Sequence, residues 1–300
     1  MTDDLIKSLL EICGEENVFE NEPLSRHTSF RIGGPARVFV TPPDEECLGD
    51  VIKACDASGV RRFILGNGTN VLASDEGYNG VIIQVYKNFS EIKINGTKIK
   101  AGAGVLLSKL SSEAAGASLS GFEFASGIPG TLGGAVTMNA GAYGGEMKDV
   151  LTDVTVYVPG EGIKVLDPAE LKLGYRTSII KNTDIIVLSA GLQLERGDEK
   201  AIRERIAELK EQRTSKQPLE YPSAGSTFKR PEGYFAGKLI MDSGLKGYCV
   251  GGACVSEKHC GFVINKGNAT AADVKELMEH IVKTVEDKFG VRLEPEILCI

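Results

Sequence analysis

The sequence predicts an α+β protein with two domains. A chain of 300 residues is at the upper limit of what a single hydrophobic core supports, so two domains are expected. Apolar runs typical of strands occur in groups, and helical patterns fall between them irregularly, which favours α+β over a regularly alternating parallel sheet. The composition, 42% hydrophobic and 25% charged, is that of an ordinary globular protein.

The first half of the chain carries a mixture of helix and strand signals. Apolar spacing predicts helices, Asp44 is placed as an N-cap, Pro42-Pro43 ends a strand, and Asn95-Gly96 is a hairpin turn. The predicted elements, in order, are a helix at 3–12, a strand at 36–41, a helix from 45 to 57, strands at 61–65 and 80–86, a hairpin of 91–95 and 97–101, and a helix at 105–116.

In the second half, a charged helix marks the candidate boundary between domains. Thr270 and Asp273 have the spacing of a capping box, and Gly290 is the expected end of the helix that they begin. The predicted elements are strands at 153–158, 163–166 and 184–195, the charged helix at 199–214, the helix from 270 to 290, and a last strand at 291–299.

Charge and hydropathy exclude several classes of partner. The net charge is −7, and no basic cluster of the kind that binds nucleic acid is present. No apolar run reaches the roughly 18 residues of a membrane span, and the N-terminal residues are acidic and amphipathic rather than a signal peptide. We therefore expect a cytoplasmic protein with no nucleic-acid partner, no membrane insertion and no obligate protein partner.

The seven cysteines predict reduced, mostly buried thiols, because their number is odd and no CxxC motif occurs. One cluster, Cys249, Cys254, His259 and Cys260, invites a metal-site interpretation. Its spacing fits no common zinc pattern, and adjacent His and Cys side chains rarely bind one ion. We predict no metal.

Two glycine-rich loops carry the functional signal. Residues 121–145 contain eight glycines yet keep apolar residues between them, which favours an ordered loop close to a ligand over a polar flexible linker. Residues 66–71 (GNGTNV) resemble a phosphate loop, but no Gly-Lys-Ser/Thr follows, and Val71 stands where a dinucleotide fingerprint needs glycine. Two such loops can bind a pyrophosphate with backbone N–H groups.

Several motifs in a fixed order resemble those of the UDP-N-acetylenolpyruvoylglucosamine reductase family. They are 30–36 (FRIGGPA), 66–70 (GNGTN), 127–135 (GIPGTLGGA), 139–144 (NAGAYG), 174–178 (GYRTS), 224–231 (AGSTFKRP) and 293–296 (LEPE). The resemblance covers about residues 21–298. Fifty positions separate Arg176 from Ser226, and no tyrosine occurs from 178 to 220, so the chain resembles the shorter type of this family, which lacks a tyrosine-bearing loop.

The resemblance implies the domain arrangement. Residues 1–196 would form an FAD-binding domain of the p-cresol methylhydroxylase and vanillyl-alcohol oxidase type, with two subdomains at about 1–86 and 87–196. Residues 197–300 would form an α+β substrate-binding domain.

The resemblance also implies an FAD-dependent oxidoreductase of peptidoglycan precursor synthesis. NADPH would reduce noncovalently bound FAD, which would then reduce the enolpyruvyl group to give UDP-N-acetylmuramate. Arg176 would bind the substrate carboxylate, Ser226 would donate the α-proton and Glu296 would act as an acid beside that carboxylate.

The implied binding residues form two sets. The expected FAD contacts are Gly66, Asn67, Gly68, Thr69, Asn70, Val71, Ile128, Pro129, Gly130, Gly133, Gly134, Ala135, Asn139, Gly141, Ala142 and Tyr143. The expected substrate contacts are Tyr175, Lys216 and Lys238. Two other functions stay open: an FAD oxidase of the same cofactor-binding superfamily that acts on an alcohol or lactone, and a noncatalytic regulator that binds sugar nucleotides.

Overall fold

The computed structural model describes residues 3–300, which form two compact units that interleave along the chain. The first unit comprises the described residues up to Glu20, Val38–Asn67 and Gly80–Arg213. The second comprises Asn21–Arg37, Gly68–Asn79 and Thr214–Ile300. These units are defined by packing, and the domain bounds 1–196 and 197–300 stay a prediction.

Seven α-helices occur among the described residues. They are α1 (Asp3–Cys13), α2 (Glu45–Ala57), α3 (Leu107–Gly116), α4 (Leu132–Thr137), α5 (Glu199–Lys216), α6 (Ala236–Asp242) and α7 (Ala271–Phe289). The predicted caps are confirmed. Asp44 accepts the backbone N–H of Cys47 at the start of α2, and Thr270 and Asp273 form a capping box at the start of α7.

The strands are short. They are β1 (Val18–Pro23), β2 (Pro35–Val40), β3 (Arg62–Leu65), β4 (Val71–Leu72), β5 (Tyr78–Gln84), β6 (Ile92–Asn95), β7 (Lys98–Gly102), β8 (Leu119–Ser120), β9 (Gly141–Ala142), β10 (Gly145–Glu146), β11 (Leu151–Val158), β12 (Gly162–Leu166), β13 (Ile186–Gln193), β14 (Glu195–Arg196), β15 (Cys249–Val250), β16 (Ala253–Val255), β17 (Val263–Asn265) and β18 (Leu298–Cys299).

An antiparallel sheet organises the first unit, with strand order β12-β11-β13-β7-β6. β6 and β7 form the predicted hairpin, with Asn95 opposite Lys98. Buried residues of the sheet, among them Val154, Val156 and Leu192, join those of α2, α3 and α4 in one hydrophobic core. This core supports the glycine-rich segment, since Leu132 and Val136 of α4 are fully buried in it.

The second unit has a separate hydrophobic core around α7. Val274, Leu277 and Ile281 lie on its buried face, together with Phe228 and Ile297. An antiparallel sheet of β15, β16 and β17 belongs to this unit. β18 pairs in parallel with β4, which brings the end of the chain alongside residues 71 and 72.

Two strand predictions need correction. The predicted strand 291–299 is reduced to Leu298–Cys299, because the preceding residues pair with 227–229 through single backbone contacts rather than a ladder. The predicted strand 184–195 ends at Gln193, and Glu195–Arg196 pairs separately with β8.

The expectation of reduced thiols throughout is wrong at one pair. Cys249 and Cys254 lie opposite each other on β15 and β16 and form a disulfide. The remaining cysteines, Cys13, Cys47, Cys55, Cys260 and Cys299, are free. Within residues 3–300, no group of three or more potential metal ligands is found. In the same range no helix is long and apolar enough to cross a membrane.

Candidate active site

The loop at 66–71 offers backbone donors. Gly68 has a φ of +61°, and a Cβ atom there would lie 2.0 Å from the carbonyl oxygen of His27, so only glycine fits. The backbone N–H groups of residues 67–70 donate no hydrogen bond to any residue from 3 to 300. A short run of open N–H groups is the arrangement that binds phosphate oxygens.

In the first unit, the start of this loop lies against the glycine-rich segment. The Asn67 side chain donates to the carbonyl of Pro129 at 3.0 Å. A Cβ atom at Gly66 would lie 2.6 Å from the Thr131 hydroxyl oxygen. Two of the predicted cofactor loops are therefore in direct contact in this unit.

Gly133 and Gly134, at the start of α4, differ in what surrounds them. A Cβ atom at Gly133 would lie 2.9 Å from that of Ala103, so Gly133 is required for packing. A Cβ atom at Gly134 would have only the Thr131 hydroxyl nearby, at 3.7 Å, and the residue is exposed. Gly134 therefore leaves open space beside the first turn of α4, as a residue that faces a ligand would.

Asn139 holds the end of the glycine-rich segment. It is buried with a φ of +44°, and its side-chain amide donates to Glu146 at 2.6 Å and to the carbonyl of Gly174 at 3.1 Å. Its Oδ1 accepts the backbone N–H of Lys148 at 3.0 Å. These bonds engage the side chain with the protein itself, so a cofactor contact at Asn139 stays a prediction.

Tyr143 lies between the short strands β9 and β10 with a φ of +54°, which is unusual for a residue other than glycine. Its hydroxyl donates to the carbonyl of Leu209 at 3.3 Å, and its ring is 41% exposed. The ring therefore lies at the surface of the first unit, and its contact with FAD stays a prediction.

Arg176 lies at the tip of a tight turn in the first unit. Gly174 and Thr177 exchange backbone hydrogen bonds, and Arg176 takes a φ of +56° between them. Its Nη2 donates to the carbonyl of Gly141 at 3.0 Å, and its guanidinium carbon is 5.4 Å from the centre of the Tyr175 ring. Left-handed backbone at a non-glycine residue concentrates at functional sites. The turn therefore places a cation beside the glycine-rich segment.

Ser226 and Glu296 are brought together in the second unit through Thr227. The backbone N–H of Glu296 donates to the carbonyl of Thr227 at 2.9 Å. Ser226 is exposed, and its hydroxyl makes no hydrogen bond within the described chain. The Glu296 side chain is 9% exposed. An exposed hydroxyl and a nearly buried carboxyl therefore lie on neighbouring backbone segments of the second unit, and their part in proton transfer stays a prediction.

Sequence patterns did not reveal the contacts of two residues that hold these segments. Thr227 is fully buried, and its hydroxyl oxygen accepts the backbone N–H of Val263 at 2.9 Å. The side chain of Asn70, predicted as a cofactor contact, donates to the backbone carbonyl of Glu296 at 3.1 Å. These residues are far apart in the sequence, and no local sequence pattern indicates that they are in contact.

The predicted lysine contacts are both exposed. Lys216 is the last residue of α5. Lys238 forms an ion pair of 2.7 Å with Asp242 one turn along α6. No feature of the described surroundings of either lysine indicates that it binds an anion, so both assignments stay predictions.

Comparison with known proteins identifies two regions. Residues 36–166 match a family model described as an FAD binding domain. Residues 217–300 match one described as the C-terminal domain of UDP-N-acetylenolpyruvoylglucosamine reductase. Each of two features suits FAD when taken by itself: the open N–H groups at 67–70 are donors for phosphate oxygens, and Gly134 leaves space beside α4.

Full-length relatives and solved structures agree with these matches. A protein of Caldanaerobacter subterraneus subsp. tengcongensis named UDP-N-acetylenolpyruvoylglucosamine reductase is 52% identical over all of this chain and 99% of its own. One of the same name from Clostridium perfringens is 50% identical over 99% of this chain and 97% of its own.

A crystal structure of the Thermus caldophilus reductase matches with a TM-score of 0.80 at 38% identity, over 94% of this chain and 97% of that one. p-Cresol methylhydroxylase shares the fold alone, with a TM-score of 0.52 at 15% identity over 65% of this chain and 43% of its own. The predicted α+β fold with an FAD-binding domain is thereby confirmed. With 52% identity over its full length to a protein of that name, the chain belongs to the UDP-N-acetylenolpyruvoylglucosamine reductase family.

Proposed function

We propose that this chain uses NADPH and FAD to reduce UDP-N-acetylglucosamine enolpyruvate to UDP-N-acetylmuramate, in peptidoglycan precursor synthesis. The observation that carries the proposal is the pairing of the Ser226 and Glu296 segments through Thr227, inside the region that matches the reductase C-terminal domain. An oxidase of the FAD-binding superfamily would have no use for this pair.

FAD, when bound, supplies hydride transfer from NADPH to the enolpyruvyl double bond. The residues that would hold it are those of the loops at 66–71 and 127–135. The open backbone N–H groups of residues 67–70 would bind the diphosphate without a counter-ion from a side chain. Gly134 would allow close approach, since its missing side chain leaves the space beside α4 open.

Arg176 would bind the substrate carboxylate. An enol ether is a poor hydride acceptor, and it becomes a better one when charge that develops on its carboxylate is stabilised. A guanidinium presents donors that match a carboxylate. The turn from Gly174 to Thr177 and the bond to the Gly141 carbonyl fix the position of this guanidinium before substrate binds.

Ser226 would donate the proton to the α-carbon. A hydroxyl is a weak acid, so it serves only a strongly basic carbon such as the one that hydride addition at the neighbouring carbon creates. Its freedom from hydrogen bonds within the described chain leaves it able to meet such a group. Glu296 would share a proton with the substrate carboxylate and so hold part of the developing charge.

The substrate diphosphate would be bound by lysines, with Lys216 and Lys238 as candidates, and Tyr175 would line the enolpyruvyl pocket. Tyr175 is 56% exposed on the turn that carries Arg176, which suits a ligand contact. Cytoplasmic location is part of this proposal, because NADPH and nucleotide sugars are substrates of that compartment.

The test is spectroscopic. Purified protein should be yellow with an oxidised flavin spectrum. Anaerobic NADPH should bleach it, and the enolpyruvyl sugar nucleotide should restore the colour with formation of UDP-N-acetylmuramate. A colourless protein that still binds the sugar nucleotide would support the regulator instead. Bleaching by an alcohol with no response to NADPH would support the oxidase.

A further inference from the structure

The peptide groups on both sides of the Glu296 α-carbon are held by hydrogen bonds. Its N–H donates to the carbonyl of Thr227 at 2.9 Å, and its carbonyl accepts the side-chain amide of Asn70 at 3.1 Å. Since these two groups flank the α-carbon, together they fix the direction in which the Glu296 side chain leaves the backbone. One of the two anchors belongs to the predicted flavin loop.

Asn70 is bound to the end of the chain a second time. Its own carbonyl accepts the backbone N–H of Leu298 at 2.9 Å. From there β4 and β18 run in parallel, with Leu298 opposite Val71 and Cys299 opposite Leu72. The loop that begins at Gly66 and the segment that carries Glu296 therefore meet at Asn70.

We infer that Asn70 is a positioning residue for Glu296, and that it couples the flavin loop to proton handling at the enolpyruvyl group. This inference rests on the role proposed for Glu296. The Glu296 side chain is only 9% exposed, so it has little room to correct a displaced backbone. A proton donor must lie within hydrogen-bond reach of its target, and a misplacement of about 1 Å costs on the order of 100-fold in rate.

The nitrogen and the oxygen of the Asn70 side-chain amide have different partners, so substitutions can distinguish a positioning role from a simple flavin contact. The Nδ2 donor is engaged with Glu296, whereas Oδ1 makes no hydrogen bond within residues 3–300. A flavin contact would therefore use the oxygen. Asn70→Asp keeps an acceptor of the same size and removes the donor, while Asn70→Ala removes both.

The chain supplies a matched control in the same loop. Asn67 makes the same kind of bond, from its side-chain amide to the carbonyl of Pro129 at 3.0 Å, within the first unit. Asn67→Ala thus removes an amide-to-carbonyl bond of the flavin loop and leaves the Glu296 anchors in place.

The experiment uses the FAD-loaded protein of three variants, Asn70→Asp, Asn70→Ala and Asn67→Ala, and measures their two half-reactions and their hydrogen exchange. We expect both Asn70 variants to slow anaerobic reoxidation by the enolpyruvyl substrate at least tenfold, with reduction by NADPH within about twofold of wild type. Hydrogen exchange of the 294–300 segment should be faster in both Asn70 variants and unchanged in Asn67→Ala.

A double-mutant cycle identifies the route of the effect. If Asn70 acts through Glu296, adding Asn70→Asp to Glu296→Gln should slow reoxidation little further. Additive losses, or wild-type exchange of residues 294–300 in Asn70→Asp, would overturn the positioning role. If Glu296→Gln alone reoxidises at the wild-type rate, the proposed role of Glu296 fails, and the exchange data still decide whether Asn70 anchors the segment.

Discussion

The backbone carbonyl of Thr227 accepts a hydrogen bond of 2.9 Å from the backbone N–H of Glu296. Next to it, Phe228 and Pro295 form an antiparallel bridge, and the backbone N–H of Lys229 donates to the carbonyl of Glu294. Two motifs far apart in sequence thus become paired segments of one unit. The pairing holds the residue after Ser226 against Glu296. A substitution that displaces either segment should therefore shift the positions of both side chains.

Gly134→Val should lower FAD retention without unfolding the protein. Outside its chain neighbours and its own helix backbone, a Cβ atom at this position would meet only the Thr131 hydroxyl, at 3.7 Å, so we expect the protein to accept the larger side chain, which would fill space left for the ligand. The measurement is FAD per protein after gel filtration. Gly133→Val is the contrasting variant, since its Cβ would lie 2.9 Å from that of Ala103 and should destabilise the fold itself. Full FAD occupancy in Gly134→Val would show that Gly134 does not contact the flavin cofactor.

Local signals predicted the elements that are stabilised locally. The capping box of Thr270 and Asp273 and the left-handed Gly290, with a φ of +65°, placed α7 within a residue of its observed bounds. The helix at α2 was equally well marked, because the Asp44 cap is a short-range bond.

The remaining differences come from partners that are distant in sequence. Residues 291–297 alternate apolar and charged side chains over much of their length, which predicts a strand, but their partners around Thr227 offer only single contacts instead of a ladder. The disulfide of Cys249 and Cys254 depends on a two-strand register that composition does not reveal. In the site, the motifs named Ser226 and Glu296, whereas the bond from Asn70 to Glu296 could be found only in the structure.

Glu296→Gln should slow flavin reoxidation by the enolpyruvyl substrate by about 100-fold or more, as expected for a lost acid. Glutamine has nearly the same size, and the backbone bonds to Thr227 and Asn70 do not involve the carboxyl, so the segment should stay in place. Reduction by NADPH should change little. Anaerobic stopped-flow measures the two half-reactions separately.

The matched control for this variant is Glu294→Gln. Glu294 lies two residues away, is exposed, and pairs with Lys229 at 2.8 Å. Its loss should leave both half-reactions near wild type. Equal losses in both half-reactions of Glu296→Gln would instead indicate that residue 296 supports the fold.

Stability should fall in mild acid because of His259. Burial lowers the pKa of His259 below its ordinary value of 6.5, and its Nδ1 accepts the backbone N–H of Gly261 at 3.1 Å. A histidine whose pKa is depressed in the fold contributes full stability above pH 6.5, and that contribution is lost as the pH falls below 6.5 toward the lower folded value. Urea denaturation at pH 7.5, 6.5 and 5.5 with saturating FAD would measure the free energy of unfolding at each pH.

His259→Gln provides the comparison, since its amide oxygen can accept the same bond but does not titrate in this range. We expect a shallower pH dependence in the variant. Identical slopes for the two proteins would show that His259 does not contribute. The effect should extend to the site, because the Gly261 carbonyl accepts the backbone N–H of Thr227 at 2.9 Å.

The disulfide of Cys249 and Cys254 should be detectable by thiol labelling. Alkylation of the denatured protein should modify five cysteines without reductant and seven with it, because the other five are free. A cross-link that closes so short a loop contributes about 2 kcal/mol in the chain-entropy model. Reductant should therefore lower the Tm by a few degrees, and Cys249→Ser should not respond. Seven modified cysteines without reductant would contradict the bond.

Ser226→Ala tests the proposed proton donor. The hydroxyl makes no hydrogen bond within the described chain and the residue is exposed, so its removal should leave folding, FAD binding and reduction by NADPH intact. Turnover should fall by roughly 10²–10⁴-fold, the loss typical of a missing general acid. The loss should appear as slow reoxidation of reduced flavin by the enolpyruvyl substrate, with the KM for NADPH little changed.

Ser226→Cys should retain more activity than Ser226→Ala, since a thiol can also donate a proton. Ser223→Ala, in the same loop, should behave as wild type. If Ser226→Ala reoxidises at the wild-type rate, water or another residue donates the proton, and Ser226 only completes the turn that follows Gly225.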